Sequence, residues 1–143
     1  MQIRFTELTD SQWEIIKKYV SHHNPKKHDL REIINAILWI CRTGSQWRNL
    51  DSKYPKWESV YYYFHIWNKD GLWDRLLSEL VCCERQRQGR EAEPSAVAID
   101  SQSVKSVALI AEESRGVDGA KLIKGRKRHI VVDTLGLPIA VFV

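Results

Sequence analysis

Partway along this chain the spacing of its apolar residues changes period, and no single layer of secondary structure can satisfy both halves. Between Thr9 and Cys83 apolar side chains recur every three or four positions, the period of helices that bury one stripe. From Ser95 onward they come instead in short runs, Val97-Ala98-Ile99, Ile130-Val131-Val132 and Ile139-Ala140-Val141-Phe142-Val143, the pattern of strands. A polar stretch over residues 84–94 separates the two patterns and reads as a linker. Helices followed by strands predict an α+β chain: a helical domain over 1–83, a linker over 84–94 and a sheet-bearing part over 95–143.

Four helices are expected, and their ends carry recognisable chemistry. Thr9 and Gln12 fit a capping box, with Leu8 and Trp13 as the hydrophobic staple of the first helix. The Ser21-His22-His23-Asn24-Pro25 segment breaks that helix. The second starts near Asp29, with Glu32 as capping partner, and buries Leu30, Ile33, Ile34, Ile37, Leu38 and Cys41 until Gly44 ends it. Pro55 suits the first turn of a third helix, which turns Trp57, Val60, Tyr61, Phe64 and Trp67 inward and Glu58, Ser59, Tyr62, His65 and Lys69 outward. A fourth uses Leu72, Trp73, Leu76, Leu77, Leu80 and Val81 and dissolves from Cys83 onward. The second and third helices loosely fit a pair that sets side chains in a DNA groove. Arg48, Lys53 and Lys56 are then available to phosphates, and Tyr62, His65 and Lys69 to bases or sugars. An ordinary packed bundle shows the same periodicity, so that alternative stands beside it.

In the C-terminal part the run 97–99 reads as a strand covered on both faces, with Asp100 at its tip. A carboxylate so placed can ligate Mg²⁺ or merely cap the following loop through the amides of Gln102 or Ser103. Residues 101–120 read as a loop with flexible points at Gly116 and Gly119, and residues 129–133 and 139–143 as a hairpin around Gly136. Asp133, just before that turn, is better suited to shaping it than to catalysis. The run Lys124-Gly125-Arg126-Lys127-Arg128-His129 leads into a strand, whose alternation divides its charges between two faces. It reads either as a phosphate-backbone contact beside Asp100 or as a solvated edge that discourages aggregation.

Charge narrows the partners. Net charge is +4, and five basic residues crowd between Lys121 and Arg128, so nucleic acid is the favoured polyanion. Cys41, Cys82 and Cys83 form no C-x-x-C pair and read as buried thiols. His22, His23 and His28 read as a solvated connector. No apolar run approaches the roughly 20 residues of a membrane helix, and the N-terminus lacks a secretory h-region, so a cytoplasmic protein without membrane contact is expected.

Taken together these residues resemble the transposases of bacterial insertion sequences in the DDE class, whose catalytic core is ribonuclease-H-like. In the N-terminal half the likeness rests on Arg42-Thr43-Gly44-Ser45-Gln46-Trp47-Arg48-Asn49-Leu50, on Trp57-Glu58-Ser59-Val60-Tyr61 and on the segment from Trp67 to Trp73. Further on it rests on Ala98-Ile99-Asp100-Ser101-Gln102-Ser103-Val104-Lys105, Gly119-Ala120-Lys121 and the block from Lys124 to Leu137. The resemblance implies a helix-turn-helix-like bundle that binds the terminal inverted repeats of an element as double-stranded DNA, then about three strands of an incomplete ribonuclease-H-like sheet. It implies that Asp100 is the first of three catalytic acids and a metal ligand, and no position here matches the other two. Lys124, Arg126, Lys127 and Arg128 are the implied DNA contacts beside it. The complete enzyme would use Mg²⁺ or Mn²⁺, which this chain alone is expected not to bind tightly. Some relatives divide the enzyme between two reading frames. On that pattern the chain is expected to be a first-frame product, or a truncated or decayed copy, whose partner is the second-frame product or another protomer. The expected function is a transposase fragment that binds element ends and is inactive alone. A DNA-binding regulator of transposition and a non-functional remnant are the alternatives.

Overall fold

The computed structural model describes residues 5–20, 28–105, 116–118 and 123–142. The breaking segment 21–25, the loop 106–115 and Gly119 lie outside the described residues. The elements are α1 (Asp10–Val20), α2 (Leu30–Thr43), α3 (Trp57–Lys69), α4 (Leu72–Arg87), β1 (Val97–Lys105), β2 (Gly116–Asp118), β3 (Ile123–Asp133) and β4 (Pro138–Phe142). The chain is therefore α+β, as its periodicity predicts, and it divides into two compact units, Met1–Leu76 and Leu77–Val143.

In the first unit local capping sets the helix starts. The Thr9 amide donates to Gln12 Oε1 at 2.9 Å and the Gln12 amide to Thr9 Oγ1 at 3.3 Å, the reciprocal pair of a capping box. Asp29 caps α2 by accepting from the Arg31 amide at 2.8 Å, and Gly44, at φ 68°, closes it in the left-handed conformation that a side chain would strain. The buried stripe of α2 is Ile33, Ile34, Ala36, Ile37 and Ile40, rotated from the expected one. Leu38 and Cys41 are exposed, because a single helix face cannot hold every apolar residue that falls near it. Asn35 is buried among them, since its Oδ1 accepts from the Leu8 amide at 2.9 Å.

On α3, Val60 and Trp67 are fully buried and Leu72 and Leu76 of α4 join them in one core. The Trp67 and Trp73 rings meet edge to face at 5.9 Å and 81°. Pro55 lies just outside α3, which Lys56 caps, so its ring restricts the entry to the helix and not its first turn. Tyr61 faces outward more than expected, at 43% exposed.

The second unit departs further from expectation. The helix α4 does not dissolve at Cys83 but continues to Arg87, helped by the Glu84–Arg87 ion pair at 2.6 Å. Nor are the cysteines buried: Cys41 and Cys83 are exposed and Cys82 is half-buried, on helix flanks that no core covers. The sheet centres on β3, with β1 antiparallel along one edge and β2 and β4, also antiparallel, sharing the other. The hairpin of β3 and β4 around Gly136 (φ 78°) agrees with the sequence reading.

Three strand boundaries do not. The strand β1 extends to Lys105, so Asp100 lies within it and not at its tip, and residues 101–105 are not loop. Gly116 opens the short β2. The strand β3 starts at Ile123, so the basic run stands inside it. In each case pairing, of β1 and β2 with β3 and of β3 with both, extends a segment whose own composition is polar. Finally, Val97 and Ile99 are 52% and 70% exposed, not covered on both faces, because β1 is an edge strand and its apolar side chains find no cover among the described residues.

Candidate nucleic-acid interface

Helical geometry brings three of the expected contacts together. Residues 62, 65 and 69 are spaced three and four apart on α3, and Tyr62, His65 and Lys69 are all exposed along one face. Tyr61 joins them: its ring stacks on His65 at 6.3 Å and 17°, and the Trp47 ring meets it edge-on at 5.3 Å. Sequence spacing assigned Tyr61 to the core, whereas it stands exposed beside Trp47. Exposed aromatic rings beside cations are the composition of a surface that stacks on bases and contacts phosphates.

The remaining helical candidates stand apart. The Arg48 guanidinium lies 5.7 Å from the centre of the Trp57 ring, a cation–π contact that holds it near the start of α3. Lys56 is exposed at the cap. Lys53 is engaged elsewhere: its Nζ pairs with Glu7 at 2.8 Å and sits 4.7 Å over the Tyr54 ring. Hydrogen bonding to Lys53 is the main cause that holds the Glu7 carboxyl below its ordinary range, and the same bond raises the Lys53 ammonium. A phosphate would therefore compete with Glu7 for that charge. The connection from α2 to α3, residues 44–56, contains a 3₁₀ turn at Trp47–Asn49 and is longer than the three or four residues of a helix-turn-helix turn.

In the second unit Asp100 is exposed on β1, opposite Ile130 of β3. Arg126, Lys127 and Arg128 are exposed on β3, opposite Val104, Ser103 and Gln102. Lys124 belongs to the same strand, opposite Val117 of β2. Among the described residues no three His, Cys, Asp or Glu side chains come together. Magnesium takes oxygen ligands in near-octahedral geometry, and Asp100 alone supplies one carboxylate. The described residues do not by themselves fit a divalent metal.

Asp133 is occupied structurally, as its place before the turn suggests. Its Oδ1 accepts from the amides of Leu135 at 2.8 Å and Leu137 at 2.9 Å, and its Oδ2 takes the Arg85 guanidinium. Burial pushes its carboxyl up, but the hydrogen bonds from Leu137, Arg85 and Leu135 outweigh that and leave it below its ordinary value. Arg85 had no signal in the sequence beyond its polar surroundings, yet it is buried, and it also donates to Glu91 O at 2.8 Å and Glu93 O at 3.4 Å.

Two family models match the chain. One, described as "Putative transposase of IS4/5 family (DUF4096)", covers residues 8–77, and the other, "Transposase DDE domain", covers residues 91–143. Among curated proteins the chain is similar to "Uncharacterized protein y4sN" of Sinorhizobium fredii (strain NBRC 101917 / NGR234), 29% identical over 104 residues, which is 69% of this chain and 76% of that protein. It is also similar to "Insertion element IS402 uncharacterized 16.2 kDa protein" of Burkholderia cepacia, 24% identical over 110 residues, 70% of this chain and 74% of that protein. No solved structure matches it.

Proposed function

Because this chain belongs to the insertion-sequence transposases of the DDE class, we propose that it binds the DNA ends of such an element and contributes Asp100 to the strand-transfer site. The observation that carries this reading is Asp100 itself, an exposed carboxylate on a strand within the segment matched by the transposase DDE model. Exposed guanidiniums on the neighbouring strand supply charge for the DNA backbone, and the Tyr62, His65 and Lys69 face of α3 supplies stacking and polar contacts.

Metal-assisted strand transfer needs several converging carboxylates, of which Asp100 would be one. One carboxylate cannot hold a metal ion in that role. Residues 1–143 on their own are accordingly expected to bind DNA without cutting it.

The test combines binding and cleavage on terminal-repeat DNA in Mg²⁺ or Mn²⁺. The expected outcome is binding without strand scission. Robust cleavage that survives Asp100→Ala would overturn the assignment of Asp100, and absence of binding would overturn the DNA role.

A further inference from the structure

The pairing of β1 with β3 sorts the basic run into two groups by face. Directly opposed residues of an antiparallel pair share a face, and successive residues alternate. Asp100 stands opposite Ile130, Gln102 opposite Arg128 and Val104 opposite Arg126, so these six positions lie on one face. Ser101 stands opposite His129 and Ser103 opposite Lys127, which puts Lys127 and His129 on the reverse. That reverse face also carries Val97, Ile99 and, through the pairing of His129 with Phe142, the 59% exposed Phe142. The reverse face is apolar at Val97, Ile99 and Phe142 and polar at Ser101, Ser103, Lys127 and His129, whereas the Asp100 face beyond Ile130 carries Gln102, Arg128, Val104 and Arg126.

The spacing matters as much as the sorting. Strand rise is about 3.4 Å per residue, so Arg128 and Arg126 follow the level of Asp100 in steps of about 7 Å. Each step matches about two nucleotide rises of a B-form strand. Guanidiniums bind phosphate with two parallel N–H donors, which gives such a row directional hold as well as charge.

We infer that the Asp100 face of the β1–β3 ribbon is a track for a DNA backbone, gripped by Arg128 and Arg126, while Lys127, between them in sequence, does not touch that strand. The inference rests on the proposed DNA role of the chain and adds which cations serve the strand at Asp100. It makes the ribbon a positioning surface that delivers phosphates in line with the carboxylate.

The experiment is fluorescence anisotropy of the full chain with a labelled duplex of mixed sequence across a salt series. Each lost phosphate contact lowers the slope of log affinity against log salt by about 0.9. The double variant Arg126→Gln/Arg128→Gln should lose between about 1 and 2 of that slope, Arg126→Lys/Arg128→Lys should keep most of it, and Lys127→Gln should match the unaltered chain. A face-specific pair completes the test: Gln102→Glu, on the track, should weaken binding about tenfold, and Ser101→Glu, on the reverse, by less than about twofold. Unchanged circular dichroism melting establishes that each variant is folded. If Lys127→Gln costs half or more of the slope that the double glutamine variant loses, or if the double glutamine variant leaves the slope intact while the chain still binds, the track is refuted and the DNA role stands. If the unaltered chain does not bind DNA at all, both fall.

Discussion

Arg85 and Asp133 form a buried ion pair that ties the last turns of α4 to the turn between β3 and β4. The guanidinium also reaches the carbonyls of Glu91 and Glu93, so one side chain fastens the helix, the segment leading to β1 and the hairpin. Each of its three contacts uses a different nitrogen, which only the arginine fork provides.

Removing one member of a buried pair leaves the other charged and unpaired, a cost of about 3–5 kcal/mol. Arg85→Ala is accordingly expected to destabilise the Leu77–Val143 unit by that order, read as a fall in urea midpoint, and Arg85→Lys is expected to restore little. A lysine variant as stable as the parent would show that the fork geometry is irrelevant.

The pH dependence follows from the carboxylate of the same pair. The Asp133 pKa is lowered in the folded chain, so the unfolded state binds a proton first as pH falls. Its contribution to stability is fully present above the ordinary aspartate value of about 3.9 and is lost as pH drops through the lower folded value. Acid titrations of Asp133→Asn and the parent should therefore converge in stability below about pH 4. Divergence that grows toward low pH would contradict this.

Trp67 is fully buried, and its indole N–H has no hydrogen-bond partner among the described residues. Its value is the apolar volume it fills, so Trp67→Ala is expected to cost about 3–5 kcal/mol in thermal or urea unfolding. Trp67→Phe keeps a ring and removes an unpaired donor, so its cost should be clearly smaller. Equal losses would mean that the indole nitrogen matters in some other way.

Amide exchange should separate the two units. Ile33, Ile34 and Ile37 of α2 are at most 2% exposed, whereas β1 shows Ile99 at 70%. Local opening is easiest where little apolar area is covered. Amides of β1 and β4 are expected to exchange faster than those of α2, and greater protection in 129–142 than in α2 would reverse that order.

On the helical face, Tyr62→Ala and Lys69→Gln should each weaken DNA binding severalfold, since base stacking is worth about 1–3 kcal/mol and a phosphate contact part of the salt slope. Lys53→Gln should change binding little, because Glu7 already holds that charge. A larger loss from Lys53 than from Lys69 in a gel-shift titration would move the interface toward residues 51–56.

Much of this architecture is readable from local chemistry. The Thr9–Gln12 box, the Asp29 cap and the Gly44 terminus depend on residues within a few positions of one another, and all three are seen. Strand limits depend on partners distant in sequence, which is why β1 and β3 run longer than their apolar runs and why β2 is not visible in composition. Arg85 escaped notice for a similar reason, since a charged residue in a polar stretch gives no hint that a carboxylate 48 positions later will bury it. Asp100 was visible as a residue type and by family likeness, but the cations that share its face could be identified only from register.

The outer rim of β1 has consequences for anyone handling the protein. Among the described residues no strand pairs with that rim, and Val97 and Ile99 flank it with bare aliphatic surface. Such a ledge invites a foreign strand to zip on, so turbidity that climbs with concentration is the behaviour to anticipate in storage. A lysine introduced at Ile99 would blunt the ledge and leave the Asp100 side untouched.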